Sequence, residues 1–448
     1  MPDYLWKQLG ISLCVYVGQI LVGYCMGWTA PVIVKLQNPE ETPLSGPISD
    51  AQASWVASVI YIGTITGPYV SGYLSNKRGR KLALFLGGFM TLISFIVLAT
   101  AVNMTMLLAG RIFVGFGAGI MFVTNFVYLG EIASTNIRGL LLTGTAIFTT
   151  FGTLLVYSTG PYISFAATSY IGVALTVLYI VGICLIPETP NFYVMKGQEK
   201  LAQDTLIFLG RHNEVSNVLS TKNEDEESLA NELKELLTIK GNRKALSITL
   251  TLNILQQMSG VVVVILFATR IFELAGSTIQ PNLATIIIGV TQLVASIICS
   301  GFVERVGRKV LLLWSTAACF LTLSVLGTYF YLDHLQIDVE VIGWLPLVCL
   351  VIFFLAFDLG FGIIPGTFTG EMFRSNVRST GSAITITIAW LFGFGLSSAF
   401  GYMIGAIGGH FTFWIFAAAC LIAFVYTIFF VPETRGKSLV EIQEMLNR

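Results

Sequence analysis

Few side chains in this 448-residue chain could act on another molecule, and they fall in two settings. The first is inside apolar runs. Gln256, Gln257 and Gln292 stand there, and Gly260 just after the pair lets a helix bend. A primary amide both donates and accepts hydrogen bonds, which suits a hydroxyl-rich ligand. Buried polar groups in an apolar span are costly unless they are used. The plainer role is glue between helices, worth about 0.6 kcal/mol per bond. Asp358 is the only candidate acid well inside such a run, and an acid there is a functional hypothesis by default. The second setting is a set of short charged loops, each written twice. Residues 72–81 read G-Y-L-S-N-K-R-G-R-K and residues 301–309 read G-F-V-E-R-V-G-R-K. Glu131 stands seven residues before Arg138, and Glu371 seven before Arg378. P-E-T-P at 187–190 is matched by P-E-T-R at 432–435. The partners are offset by 229, 240 and 245 residues, so one unit has been written twice.

These residues need a scaffold, and the composition says which. Hydrophobic residues make up 55% of the chain and charged residues 11%, against roughly a quarter charged in soluble domains. Net charge is zero, so a nucleic-acid partner is not expected. The seven cysteines lie in apolar runs without metal-site spacing and read as small core residues. No phosphate loop, nucleophile elbow or pair of catalytic carboxylates occurs, so neither an enzyme nor a cofactor is expected. A spanning helix needs about 20 apolar residues. Twelve such segments are expected, near 11–34, 52–74, 82–102, 106–129, 139–160, 167–187, 245–270, 283–303, 309–331, 342–369, 380–404 and 411–431. The first reads as a transmembrane helix and not as a cleaved signal peptide. With both termini inside, only Lys35, Arg111 and Arg270 fall at the outer side, and the other 22 of 25 basic residues lie inside. Every repeated loop is then cytoplasmic.

The expected organisation is an all-α membrane protein, two six-helix bundles at 1–187 and 245–448 joined by a polar linker at 188–244. The linker holds 18 of the 50 charged residues. Leu229, Leu233, Leu236 and Leu237 make an apolar stripe there, and Ser438 with Glu441 forms a capping-box pattern in the tail. Short amphipathic helices under the membrane domain are expected from both. Asn103-Met-Thr is a glycosylation sequon, in an outer loop too short for efficient modification.

Twelve spans, the doubled G-R-K loops, G-R-I-F-V-G-F-G-A-G at 110–119, Q-Q-M-S-G at 256–260 and P-E-T-R-G-K-S-L at 432–439 resemble the sugar porter branch of the major facilitator superfamily. Two stretches, G-W-T-A-P-V-I at 27–33 and 276–292, resemble insect facilitated trehalose transporters. The resemblance covers nearly the whole chain. It implies alternating access, in which two bundles rock about a central site. It also implies that Arg80, Arg138, Arg308 and Arg378 face Glu131, Glu188, Glu371 and Glu433 across the cytoplasmic ends and pair between bundles, as an inner gate, while the transporter is outward-open. Exposed ion pairs are worth about 0–1 kcal/mol each, so a network of them can break and reform. Gly360, Gly362, Pro365 and Gly366 mark a hinge in the tenth helix.

The chain also departs from the family. Asn76 stands where an Asp is usual and Asn191 where an Arg is usual, while Glu304 keeps the acid in the second loop. Val262 replaces an Asn of the sugar site, Ala146 a Gln, Gly366 a stacking Trp, and Ala389 an Asn before Trp390. Each lost hydrogen bond to a hydroxyl costs roughly 0.5–1.5 kcal/mol. Phe361, Trp390, Thr367 and Thr385 are expected to supply part of a replacement surface. Helix one carries Cys25 where proton-driven relatives carry an acid, which favours facilitated diffusion; Asp358 is the remaining proton-relay candidate.

The expected function is a facilitative transporter of a sugar, trehalose or a hexose, acting as a monomer in the plasma membrane. Two alternatives stand: a non-transporting sugar sensor, and a transporter of a less polar solute. A sensor would be expected to carry a long signalling tail, and about 17 residues follow the last helix. Asn76→Asp should strengthen the inner gate and favour the outward-open state. Unchanged state-dependent labelling of the inner cavity in that variant counts against the gate.

Overall fold

The computed structural model describes residues 3–211, 215, 229–302, 307–374, 377–435 and 439–447. Among them the chain is helical throughout, with short turns and no strand. Runs of about 20 apolar residues must form helices in hydrocarbon, because only a helix pairs every backbone amide within its own segment. Ten stretches are long and apolar enough to cross a membrane: 5–37, 80–99, 104–132, 138–162, 165–185, 240–274, 281–299, 308–334, 340–369 and 380–430. The last contains one non-helical residue, Gly408 (φ 77°, ψ 168°), and is therefore two spans. The pair Asp50–Ser58 and Ile60–Arg78 supplies the remaining span. This makes twelve among the described residues.

The backbone divides into two compact units. The first holds residues 1–48 and 59–225. Its helices are α1 (Asp3–Gly27), α2 (Thr29–Gln37), α4 (Ile60–Arg78), α5 (Arg80–Ala99), α6 (Met104–Ile132), α7 (Arg138–Thr159), α8 (Phe165–Leu185), α9 (Pro190–Met195) and α10 (Glu199–Phe208), with α3 (Asp50–Ser58) lying outside it. Small residues let these helices touch, as is usual where lipid removes the hydrophobic drive between them. A Cβ on Gly63 would overlap the backbone of residues 112–116, and one on Gly115 the carbonyl of Ile60. Much of the glycine motif at 110–119 is thus helix packing. Tyrosine hydroxyls tie the elements together: Tyr16 donates to Leu141 O at 2.7 Å, Tyr24 to Thr168 O at 2.6 Å and Tyr128 to Pro187 O at 2.6 Å.

Arg111 belongs to the packing of the first unit. It lies two turns inside α6 and is fully buried. Its Nη1 donates to Cys25 O at 2.9 Å, and its guanidinium carbon stands 5.3 Å from the Trp28 ring centre. Lys35 reaches the carbonyl of Ile163. Asn103 caps α6, its Oδ1 accepting from Met106 N at 2.9 Å.

The second unit holds residues 49–58 and 226–448. It contains α3, α11 (Leu229–Thr238), α12 (Lys240–Met258), α13 (Val261–Leu274), α14 (Pro281–Phe302), α15 (Arg308–His334), α16 (Leu345–Ala356), α17 (Ile364–Glu371), α18 (Arg378–Phe430) and α19 (Leu439–Asn447). Residues 49–58 join it through Ser54 Oγ, which accepts from Gly401 N at 2.9 Å, and through Asp50, 3.3 Å from Arg270. Helix α12 starts at Lys240, so the last residues expected in the linker are helical. Of the leucine stripe on α11, Leu236 is buried and Leu237 is exposed, because the buried face is narrower than the pattern. The expected loop between spans eleven and twelve is a single break at Gly408, where a Cβ would meet the His410 ring. Cys184 is exposed, whereas the other six cysteines are buried or half-buried. Glu304 and Ser438 lie outside the described residues.

Besides Gly408, and a kink at Phe267 (φ −121°, ψ 19°) inside α13, two backbone breaks interrupt spans of this unit. Gly260 (φ 80°) separates α12 from α13, and the Phe416 ring fills the space a Cβ would need. A π-helical turn, Phe357–Phe361, ends α16. Gly260→Ala should therefore destabilise this unit by about 1–3 kcal/mol, from left-handed strain and displacement of Phe416. A thermal midpoint in detergent equal to that of the parent rejects this.

Candidate functional site

The repeated motifs build the same cluster once in each unit. In the first, Arg80 starts α5 and Glu131 ends α6. Arg80 Nη2 and Nε reach Glu131 Oε1 at 2.9 and 3.2 Å, and Nη1 reaches Ser75 O at 3.1 Å. In the second, Arg308 Nη2 reaches Glu371 Oε1 at 2.9 Å. The P-E-T glutamates sit behind these pairs and cap the next helix. Glu188 accepts from Arg80 N at 3.1 Å and Lys81 N at 3.0 Å; Glu433 accepts from Arg308 N at 3.0 Å and Lys309 N at 3.1 Å. A carboxylate at a helix N-terminus satisfies orphan amides and meets the positive end of the helix dipole. The glycine of each G-R-K is required by this contact, since a Cβ on Gly79 or Gly307 would strike the carboxylate of Glu188 or Glu433. Burial nonetheless pushes the Glu188 carboxyl above its ordinary range, against the amides of Thr189, Lys81 and Arg80 and the Arg80 charge. The lysines finish the match: Lys81 Nζ donates to Cys184 O at 2.8 Å and Lys309 Nζ to Ile428 O at 2.9 Å.

These are pairs within each unit. Each glutamate is also taken by the arginine of the basic loop and not by the arginine seven residues on. That arginine turns back on its own loop. Arg138 Nη2 lies 3.5 Å from Ala133 O and Arg378 Nη2 3.4 Å from Phe373 O, each with a buried Nε that has no hydrogen-bond partner among the described residues. Helix geometry explains the choice: the chain leaves its helix after Glu131 and Glu371, so the later arginine opens the next helix. Asn76 and Asn191 are exposed. The copies differ at the threonine: Thr434 donates to Glu371 Oε2 at 3.2 Å, whereas Thr189 caps α9 and Glu131 Oε2 has no partner among the described residues.

The interior candidates divide in three. Gln257 and Gln292 each hold a buried amide oxygen with no hydrogen-bond partner among the described residues. Gln256 is engaged: its Nε2 donates to Phe361 O and Gly362 O at 2.8 Å each. Others are part of the packing, contrary to the expectation of a replacement surface. The Phe361 ring is fully buried, 5.8 Å from the Phe357 ring. Thr385 is buried against Thr249 and Gly381 O, and Val262 is buried too. Thr367 and Trp390 are half-buried, Thr367 Oγ1 donating to Ile363 O at 3.2 Å. Asp358 lies in the π turn, its Oδ2 buried without a partner. The expected hinge residues fall on that turn and just after it, Gly360 within it, Gly362 capping it, and Pro365 and Gly366 opening α17.

Sequence reasoning missed a polar thread in the second unit. Asn253 Nδ2 donates to Thr249 O at 2.8 Å and stands 3.4 Å from Pro365 O and Thr369 Oγ1. An Asn three and four residues before Gln256 and Gln257 shares their helix face, and that spacing was the available signal. It also missed a cavity of ≈ 450 Å³ in the first unit. Phe122, Val123, Phe126 and Val127 of α6 face Thr145, Ala146, Thr149 and Thr150 of α7, with Gln19 at the side. Gln19 Oε1 accepts from Thr149 Oγ1 at 3.0 Å. Ala146, where the family has Gln, opens onto this space.

Twelve spans and a doubled charge cluster at their ends define a multi-pass membrane protein. Residues 11–446 match the profile of the family described as "Sugar (and other) transporter", and the chain belongs to that family. It is 36% identical over 451 residues to the facilitated trehalose transporter Tret1 of Drosophila mojavensis, covering 99% of this chain and 52% of that one. It is 35% identical over 450 residues to Tret1 of Aedes aegypti, covering 99% and 56%. The chain thus spans about half the length of the curated relatives it matches. Its fold is the major facilitator fold. It matches the inward-open xylose transporter XylE from E. coli with a TM-score of 0.79 and 22% identity, covering 98% of this chain and 99% of that one. The proton:xylose symporter XylE bound to 6-bromo-6-deoxy-D-glucose matches with 0.74 and 23%, over 98% and 99%.

The two charge pairs differ in burial. Side-chain exposures are 7% and 13% for Arg80 and Glu131, against 20% and 28% for Arg308 and Glu371. Arg80→Ala should therefore cost about 2–4 kcal/mol and Arg308→Ala less, since solvent screens the second pair more. Thermal midpoints in detergent test the order; equal shifts, or a larger one for Arg308→Ala, contradict it.

Proposed function

We propose that this chain is a facilitative sugar transporter, for trehalose or a hexose, working by alternating access as a uniporter. Membership of the family and likeness to proteins named facilitated trehalose transporters support the class of function. The observation that carries a polyol ligand is the pair of buried, unpartnered amide oxygens on Gln257 and Gln292. An acceptor left without a donor in a span is costly, and a sugar hydroxyl supplies the donor. Trp390 and Thr367 serve as half-buried neighbours, and Gln256 contributes through whichever part of its amide the ligand reaches. The clusters Arg80/Glu131/Glu188 and Arg308/Glu371/Glu433, with Arg138 and Arg378 beside them, act as gate charges. The bundles are 1–187 and 245–448 with the linker at 188–244 between them. The protein works as a monomer in the plasma membrane, both termini cytoplasmic. Cys25 in helix one leaves no acid for obligatory proton coupling there, and Asp358 has a structural or gating role.

A second reading has a specific basis. The cavity beside Ala146 is walled by Phe122, Val123, Phe126 and Val127, which favours a solute with an apolar face. Reconstituted vesicles offered labelled trehalose, glucose and a neutral apolar solute separate the readings. Downhill uptake of a sugar, with half-saturation raised about tenfold or more in Gln257→Ala by loss of a buried hydrogen bond, supports the first. Uptake of the apolar solute alone supports the second, and no uptake of any favours a sensor. Accumulation against a gradient driven by pH and lost in Asp358→Asn overturns the uniport.

A further inference from the structure

The break in the tenth span is held by side chains from two other helices. A π-helical turn carries one residue more than the ladder of an α-helix accommodates, and such turns mark inserted groups. Here the inserted group is a hydroxyl. Ser315 Oγ, from α15, donates to Ala356 O at 2.7 Å and accepts from Phe361 N at 2.8 Å. The amide and carbonyl that would face each other across the turn are bridged through it. On the other side of the turn, Gln256 Nε2 from α12 takes the carbonyls of Phe361 and Gly362 at 2.8 Å each. Pro365, with no amide hydrogen, leaves Phe361 O without its α-helical donor, so the glutamine replaces a bond the chain cannot make. Gly360 makes room for α15, because a Cβ there would lie 2.6 Å from Ser315 Cβ and 2.7 Å from Leu311 O. The local closure is Gly362 N to Phe357 O at 2.6 Å and Ile363 N to Gly360 O at 3.1 Å.

We propose that Ser315 and Gln256 are positioning residues that set the bend of the tenth span, and that a ligand hydroxyl competing for the Gln256 amide releases one side of it. The second half rests on the transport reading above. Gln256 is half-buried, so its single NH2 group can turn from the two carbonyls to a ligand oxygen. When it does, Phe361 O and Gly362 O lose their donor, and the bend is held by Ser315 alone. Binding is thereby converted into a change in one helix.

The test uses the full chain in lipid nanodiscs with Cys184 replaced by Ser and spin labels at Val348→Cys and Arg374→Cys, exposed positions on either side of the break. Ser315→Ala and Gln256→Ala should each shift the inter-label distance by about 2 Å or more, a fraction of one 5.4 Å helical turn. Ser315→Thr keeps the hydroxyl and should restore the parent distribution. If Gln256→Ala does not fold, Gln256→Glu removes the same donor. Parent-like distributions in both deletion variants overturn the proposal. Trehalose or glucose added to the parent should move its distribution towards that of Gln256→Ala and leave that variant unmoved. A sugar that is taken up by vesicles but leaves the parent distance unchanged overturns the competition. Absence of any sugar uptake defeats the transport reading instead, while the sugar-free distances still decide the roles of Ser315 and Gln256. In uptake, Ser315→Ala should lower the maximal rate about fivefold or more with half-saturation unchanged, the pattern of a residue that does not touch the ligand.

Discussion

A backbone amide or carbonyl without a partner costs several kcal/mol in hydrocarbon, and this one constraint orders the whole structure. It makes the twelve spans helical. It also means that wherever a span stops being helical, the freed groups must find other partners. At Gly260 they are local, Gly260 N donating to Gln257 O at 3.1 Å and Ser259 Oγ to Gln256 O at 2.6 Å. At 357–363 the answer is Ser315 on one side and Gln256 on the other. At the ends of the spans it is Glu188 and Glu433, each taking two amides of the helix that follows its basic loop. The P-E-T glutamates of the repeats thus serve as helix caps, beside the ion pairs Arg80–Glu131 and Arg308–Glu371.

The duplicated clusters show how far a repeat constrains chemistry. The same four contacts recur to within a few tenths of an ångström: arginine to glutamate, glutamate to two amides, lysine to a carbonyl, later arginine to its own loop. The interiors do not recur. The tenth span breaks into a π turn, while α6 of the first unit runs unbroken from Met104 to Ile132. The first unit has a cavity beside Ala146, and in the second Gln256 is spent on the break of the tenth span. The repeat preserves the supports, and the two interiors have taken different chemistry.

The sequence by itself determined the spans, because about 20 apolar residues in a row have one stable form in lipid. It determined the doubling, the positions of the charged loops and the breakpoints at Gly260 and 360–366, since glycine and proline act locally. Its membership of a sugar transporter family was legible in the same motifs. Tertiary structure alone decided partners. Which of two arginines takes Glu131 or Glu371 depends on where the helices end, and the seven-residue spacing does not say. Phe361 and Thr385 looked available and are core, because side-chain direction on a broken helix cannot be counted from a regular period. Gln256 looked like a ligand group and holds a backbone break contributed by residues 105 and 106 positions away. Arg111 lies buried against Trp28 and Cys25 O, partners that its place in the chain does not name. Local chemistry is written along the chain, whereas a hydrogen bond between helices has two ends, and only the fold says which ends meet.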